Sequence, residues 1–248
     1  MRIALFGGSF DPPHIGHQMA CLYVLETHDI DELWLVPCFQ HPFDKRMTEF
    51  AHRVAMCRRV AGSLSPRVQV CTIEEELRGP SYTISTVRAL SARHPGHQFH
   101  VVIGADLLAE RPRWHGYAEL VERVRFIVLG RTPDAGGPSH AHKPAGRTAV
   151  HRPGHEPRVA AAPVTPPLLA HDIRHPQPLD LPAVSSTGVR AELAAGRAPD
   201  GWVPRSVLSY IHEHALYVEP SPAATRPSDA ENRNDSARMP EGNDAIRR

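Results

Sequence analysis

A chain of 248 residues is long enough to bury one full core, or one core with appendages. Its charge nearly cancels, 28 Lys and Arg against 27 Asp and Glu for a net +1, so composition gives no reason to expect a nucleic acid or an anionic membrane surface as partner. The four cysteines, Cys21, Cys38, Cys57 and Cys71, are widely spaced with no C-x-x-C pair, which excludes a disulfide framework and a zinc site and reads as small buried side chains in a reducing compartment.

The chain opens R-I-A-L-F-G-G-S-F-D-P-P-H-I-G-H from Arg2 to His17. Ile3 to Phe6 is a short apolar run, the pattern of a strand buried on both faces. Gly7-Gly8-Ser9 predicts a tight turn whose missing Cβ atoms let backbone come close to a ligand. Asp11-Pro12-Pro13 blocks a helix until His14. From Ile15 the apolar spacing is helical, through Met19, Leu22 and Tyr23, and ends at Leu25. Strand, Gly-rich turn and helix N-terminus together suit a phosphate held on free N–H groups. His14 and His17, three apart, are expected on one face of that helix end, with Gly16 letting a ligand approach between them.

Glu32 to Pro37 is a second apolar strand. Strand, helix, strand implies a right-handed parallel crossover and the start of a doubly wound α/β sheet. Phe39 to Lys45 is a loop. Thr48 is expected to cap a helix through Arg59, with Phe50, Val54 and Cys57 near helical spacing. Val68 to Thr72 alternates like a strand. Ser81-Tyr82-Thr83 leads into a helix through Leu90, and Pro95-Gly96 ends it. Phe99 to Ile103 is another buried strand, meeting Gly104-Ala105-Asp106. Trp114 to Val124 reads as a helix and Phe126 to Leu129 as a strand. Thr132 to Arg158, dense in Pro, Gly, Ala and His, reads as a mobile insertion whose histidines lack an accompanying carboxylate or cysteine at ligand spacing. Val159 to Val164 is a further strand candidate. Val184 to Arg190 opens a helix through Ala195, and Pro204 to His214 is the last helix. From Glu219 the chain is polar and reads as a disordered tail, so the expected organisation is a domain over 1–218 and a tail over 219–248. With no bilayer-length apolar stretch and an N-terminus unlike a signal peptide, a soluble cytoplasmic protein is expected.

Four further groups carry chemistry. Ser185-Ser186-Thr187 with Arg190 one turn later is either a helix cap or a phosphate clamp of hydroxyls, free N–H groups and a guanidinium. Asp106, just past a buried strand, is either an exposed cap or an acceptor for ribose hydroxyls. Lys45 is either a solvated lysine or a phosphate contact. Trp114 is either a core residue or an aromatic platform.

The opening string resembles the signature of the His-x-Gly-His nucleotidyltransferases. Gly79-Pro-Ser-Tyr-Thr-Ile84 and Arg111-x-x-Trp114-His115 narrow the likeness to the nicotinate-nucleotide adenylyltransferase family. The resemblance covers about residues 1–131 and 180–217, and it implies a Rossmann-like nucleotidyltransferase fold. It also implies an ATP site of Gly7, Gly8, Ser9, Phe10, His14, His17, Gly104, Asp106, Ser185, Ser186, Thr187 and Arg190. His14, His17, Lys45 and Arg190 take the catalytic roles. The acceptor site it implies comprises Lys45, Tyr82, Thr83, Ile84, Trp114, His115 and Arg131, the indole stacking on a pyridine ring and backbone amides receiving a carboxylate. The implied reaction is transfer of AMP from ATP, entering with Mg²⁺ and no protein metal ligand, to nicotinate mononucleotide. The implied partners are small molecules, with neither nucleic acid nor membrane, and homo-oligomerisation stays open. Two departures stand out: Phe43-Asp44 precedes Lys45 where the family has Pro-His, and Ser85 stands where it commonly has Asp. Transfer to nicotinamide mononucleotide or phosphopantetheine is the nearest alternative. A non-catalytic nucleotide sensor is a more distant one, and a tRNA-charging enzyme is disfavoured by the short chain and the lack of a K-M-S-K-S-like loop.

Overall fold

Apolar runs with no alternation need cover on both faces. The computed structural model describes residues 1–43, 45–77, 79–105, 107, 113–130 and 184–218. The expected insertion, the Val159–Val164 strand, the tail, Asp44, Asp106, Arg111 and Arg131 lie outside the described residues. Strands β1 (Arg2–Gly8), β2 (Glu32–Pro37), β3 (Val68–Val70), β4 (Gln98–Gly104) and β5 (Arg125–Leu129) form one sheet in the order β3-β2-β1-β4-β5. Every pairing is parallel, with Leu5 opposite both Trp34 and Val101. Parallel neighbours need crossovers, which helices α1 (Ile15–Thr27), α2 (Phe50–Leu64), α3 (Ile73–Glu76), α4 (Thr83–Arg93) and α5 (Tyr117–Arg123) supply. Helices α6 (Ser186–Ala194) and α7 (Arg205–Glu213) follow. Strand order reverses at β1, which places the ligand edge at the C-terminal ends of β1, β2 and β4.

Successive strand residues point to opposite faces, so β1, β2, β4 and β5 each feed two cores. Ala4, Leu33, Leu35 and Val102 pack with Val24, Val60, Val189 and Val207 on one side. Ile3, Leu5, Val101 and Ile103 pack with Ile84, Val87, Leu90 and Leu120 on the other. Leu33 and Leu35 are fully buried, and truncating either to Ala would cost about 2–5 kcal/mol. Among the described residues no helix is long and apolar enough to cross a membrane.

Several expectations need correction. Gly7 and Gly8 are not a turn; they extend β1, pairing with Val36 and Pro37, and the chain turns only after them. The buried stripe of α1 is Gly16, Ala20, Cys21, Val24 and Leu25, while Leu22 is exposed, because small residues carry the close packing against the sheet. Thr48 does not cap α2; Glu49 holds that position and the helix runs on to Leu64. The Val68–Thr72 strand ends at Val70, because Thr72 already caps the short helix α3. The Trp114–Val124 helix begins only at Tyr117, since Gly116 sits in the left-handed region at φ 66, where a Cβ would also come within 3.0 Å of Ile84. Cys21 and Cys57 are buried as expected, but Cys38 and Cys71 are only half-buried.

Candidate active site

The turn after β1 is built around Phe10. Its backbone lies in the left-handed region at φ 47, and its ring is buried at 1% exposure. The ring packs edge-on against Phe6 at 5.7 Å and against His17 at 5.0 Å between centroids. A Cβ on Gly8 would come within 3.2 Å of that ring, so glycine there lets Phe10 cover the strand end and brace His17. The Phe10 ring is therefore closed to a ligand.

His14 and His17 do not share a helix face as the spacing suggested. His14 is the residue before α1, extended at φ −137 and ψ 176, and His17 lies in the first turn. The His14 N–H donates to His17 Nδ1 at 3.1 Å, and the two rings lie 3.8 Å apart. Because Nδ1 accepts, a neutral His17 ring carries its proton on Nε2, which is then a donor. Gly16 makes room for His14: a Cβ there would stand 3.1 Å from the ring of that residue, which is only 3% exposed.

The Ser185–Arg190 turn meets this one directly. Ser186 Oγ donates to the Pro12 carbonyl at 2.9 Å across 174 residues of sequence. Arg190 donates to the Asp11 carbonyl at 2.6 Å and to Thr187 Oγ1 at 3.3 Å. Ser185 is the helix cap, its Oγ accepting the Gly188 N–H at 3.1 Å. Neither α1 nor α6 has an acidic residue in its first turn, so two positive helix ends stand at the C-terminal edge of the sheet, although the Ile15 N–H of α1 is already taken by the Trp202 carbonyl at 2.8 Å.

Sequence reasoning missed the residues that hold this turn rigid. Arg53, 1% exposed, donates to the Ser9 carbonyl at 3.0 Å and the Thr48 carbonyl at 2.8 Å. Burial pulls its pKa down, but an arginine remains a cation. With Arg53 on Ser9, Arg190 on Asp11 and Ser186 on Pro12, three carbonyls of the turn are occupied by donors and do not face an anion. Asp11, 2% exposed, accepts the Tyr217 hydroxyl at 2.7 Å and the Thr48 N–H at 3.3 Å, with Arg190 at 3.9 Å. Burial, then the Asp11 charge, pushes the Tyr217 hydroxyl well above the usual phenol range. Arg53 had a signal: it shares α2's apolar stripe with Met56, Cys57 and Val60, where an arginine must find partners. Tyr217 had none.

On the other side of Gly8 and Ser9 lies a cavity of about 280 Å³, walled also by Cys38, Glu74, Thr83 and Trp114. Tyr82 stacks on His115 with centroids 4.4 Å apart, joining the start of α4 to the turn that carries Trp114. Ile84 is fully buried beneath Gly116, so its side chain belongs to the core and not to the cavity. Lys45 is exposed; His41, on the same loop, lines the cavity, and burial and then the Lys45 charge hold its pKa below the usual value. Gly104 ends β4 at the same edge. Among the described residues no group of three or more His, Cys, Asp or Glu side chains is placed to hold a metal ion.

The family model described as cytidylyltransferase-like matches residues 5–192. An Anaeromyxobacter dehalogenans (strain 2CP-C) protein named probable nicotinate-nucleotide adenylyltransferase is 39% identical over 219 residues, covering 87% of this chain and 96% of its own length. A Myxococcus xanthus protein of the same name is 37% identical over 217 residues, covering 88% and 95%. The structure of Plasmodium falciparum nicotinic acid mononucleotide adenylyltransferase complexed with NaAD superposes with a TM-score of 0.62 at 21% identity, over 87% of this chain and 97% of that one, a likeness of fold. The chain belongs to the nicotinate-nucleotide adenylyltransferase family, within the cytidylyltransferase-like group.

Proposed function

We propose that this chain transfers AMP from ATP to nicotinate mononucleotide, giving deamido-NAD and pyrophosphate. The observation that carries the reading is the bonding of the Ser186–Arg190 turn onto Asp11 and Pro12, which draws two helix N-termini, His17 and a guanidinium together beside a separate cavity. Helix ends and a guanidinium suit a polyphosphate. The cavity suits a flat ring beside Trp114, and α4, with no acid in its first turn, offers its N-terminal N–H groups to a carboxylate.

In this reading ATP lies across the exit of β1. Gly7, Gly8, Ser9 and the Phe10 backbone border its phosphates. Ser186, Thr187 and Arg190 take the far phosphates, while Gly104 and Asp106 border the ribose. Nicotinate mononucleotide occupies the cavity, with Tyr82, Thr83, Trp114 and His115 around the ring and Lys45 and Arg131 toward its phosphate. A phosphate oxygen of the mononucleotide attacks the α-phosphorus in line. The bond from that phosphorus to the bridging oxygen breaks, and the electron pair leaves with pyrophosphate. The nucleophile is already anionic at neutral pH, so no general base is required and the protein supplies positioning and charge. His17 donates from Nε2 with His14 beside it, and Lys45 and Arg190 add positive charge. Mg²⁺ enters with ATP, whose phosphate oxygens are the hard ligands it prefers.

Pyrophosphate release from MgATP with nicotinate mononucleotide, nicotinamide mononucleotide or phosphopantetheine as acceptor tests the reading. The nicotinate form should give the highest kcat/KM. Equal or better turnover with either rival, or none with any acceptor, would overturn it.

A further inference from the structure

A carboxylate is rarely buried unless several donors hold it. Glu74, on α3, is 7% exposed and belongs to the wall of the 280 Å³ cavity. Both of its oxygens are engaged. Oε2 accepts the Phe39 N–H at 3.1 Å, and Oε1 accepts the Thr86 hydroxyl at 2.9 Å. Ser81 closes the same knot: its Oγ accepts the Phe39 N–H at 3.1 Å and the Gln40 N–H at 3.2 Å, and its own N–H donates to the Gln40 carbonyl at 2.9 Å. Burial raises the Glu74 pKa, and the hydrogen bonds from Ser81, Thr86 and Phe39 only partly offset it.

The two segments so joined are the two walls of the cavity. The loop leaving β2 contributes Cys38, His41 and Pro42 and runs on toward Lys45. The start of α4 contributes Thr83 and Thr86. Ser81, just before α4, bonds to the loop directly, and Glu74, entering from a third segment, bonds to the loop and to α4 itself.

We infer that Glu74 is a positioning residue for the acceptor: it fixes the width of the acceptor cavity by tying the loop after β2 to the first turns of α4. The inference rests on the proposed function for the identity of the acceptor, not for the tie itself. A glutamine can make the same tie. Its amide oxygen accepts the Phe39 N–H, its NH₂ donates to Thr86 Oγ1, and the Thr86 proton turns to the Tyr82 carbonyl, 3.4 Å away. Alanine cannot.

The test compares Glu74→Ala, Glu74→Gln and the parent for KM of each substrate, and follows alkylation of Cys38 by N-ethylmaleimide with peptide mapping. Glu74→Ala should raise KM for nicotinate mononucleotide about tenfold or more, the loss expected for hydrogen bonds to a charged group, and leave KM for ATP within about twofold. Glu74→Gln should stay within about threefold of the parent on both. Cys38, half-buried in the loop, should label faster in Glu74→Ala only. Should Glu74→Ala be too unstable to assay, Thr86→Val removes one arm of the tie and should raise the acceptor KM about threefold or more. An unchanged acceptor KM in the variant assayed, a parallel rise in both KM values, or a glutamine variant as impaired as alanine overturns the inference. If the parent makes no deamido-NAD yet Cys38 labels faster in Glu74→Ala, the functional reading falls and the tie stands; unchanged labelling removes the tie.

Discussion

Replacing Tyr217 with Phe tests how the catalytic turn is held from the far end of the fold. The tyrosine follows α7 with its backbone at φ 64, and its hydroxyl donates to Asp11 Oδ1 at 2.7 Å. Phenylalanine keeps the ring, so no cavity opens; the donor to Asp11 is lost, together with the weaker contact of the hydroxyl to the Thr48 side chain. Asp11 is 2% exposed, and water cannot easily take the donor's place. A hydrogen bond to a charged group contributes about 1.5–3 kcal/mol. Arg190 lies 3.9 Å from the other carboxylate oxygen and can move closer, which favours the lower half of that range. The expected loss is about 2 kcal/mol, or a Tm lower by about 4–8 °C for a domain of this size. Differential scanning calorimetry of the parent, Tyr217→Phe, Asp11→Asn and the double variant measures it. The cycle should show the two changes to be coupled by about 1 kcal/mol or more, because they remove one bond. KM for ATP should rise in Tyr217→Phe, since the Asp11 turn also anchors Arg190. A Tm within about 1 °C of the parent, with additive double-variant behaviour, would refute the argument.

Three other substitutions separate the remaining roles. His17→Ala should lower kcat for pyrophosphate release about 100-fold or more, the scale of one lost transition-state donor, and should also lower Tm by a few degrees because the His14 N–H loses its acceptor; near-parental turnover removes the assigned role. Gly16→Ala should lower Tm slightly and kcat/KM about tenfold, because the new methyl presses on the buried His14 ring at about 1–3 kcal/mol, more than the about 0.5–1 kcal/mol by which alanine is favoured over glycine in a helix. Full activity with a raised Tm would show that the ring has room to give. Hydrogen bonding to Arg88, and then to Arg123, holds the Glu119 carboxyl down to about 2 from the ordinary 4.5. A depressed folded-state pKa adds stability above 4.5 that is lost as pH falls toward 2, so the parent's Tm should drop more steeply over that window than that of Glu119→Gln. Equal slopes would contradict the pairing.

The sheet was legible because Ile3–Phe6, Glu32–Pro37 and Phe99–Ile103 have too little polarity to be anything but doubly covered strands. Helix ends were less legible. Gly116 breaks its helix for a reason that lies in Ile84, and Thr48 stands one residue before the cap position, its N–H held by Asp11, 37 residues earlier. The site divides the same way. The opening string and the Ser-Ser-Thr-x-x-Arg turn are local patterns, and they could be named from sequence. What binds them together is long-range: Ser186 on Pro12, Arg190 on Asp11 and Tyr217 on Asp11. No short window contains both partners of any of those bonds. Glu74 was hidden similarly, as one of three consecutive glutamates of which only one is buried.

The most direct measurement is a crystal structure with a non-hydrolysable ATP analogue and Mg²⁺. The account predicts the triphosphate between the Gly8–Ser9 strand exit with His17 on one side and Ser186, Thr187 and Arg190 on the other, with the 280 Å³ cavity left open for the acceptor. A nucleotide seated in that cavity, or anywhere that leaves Arg190 and His17 out of reach of its phosphates, would contradict it.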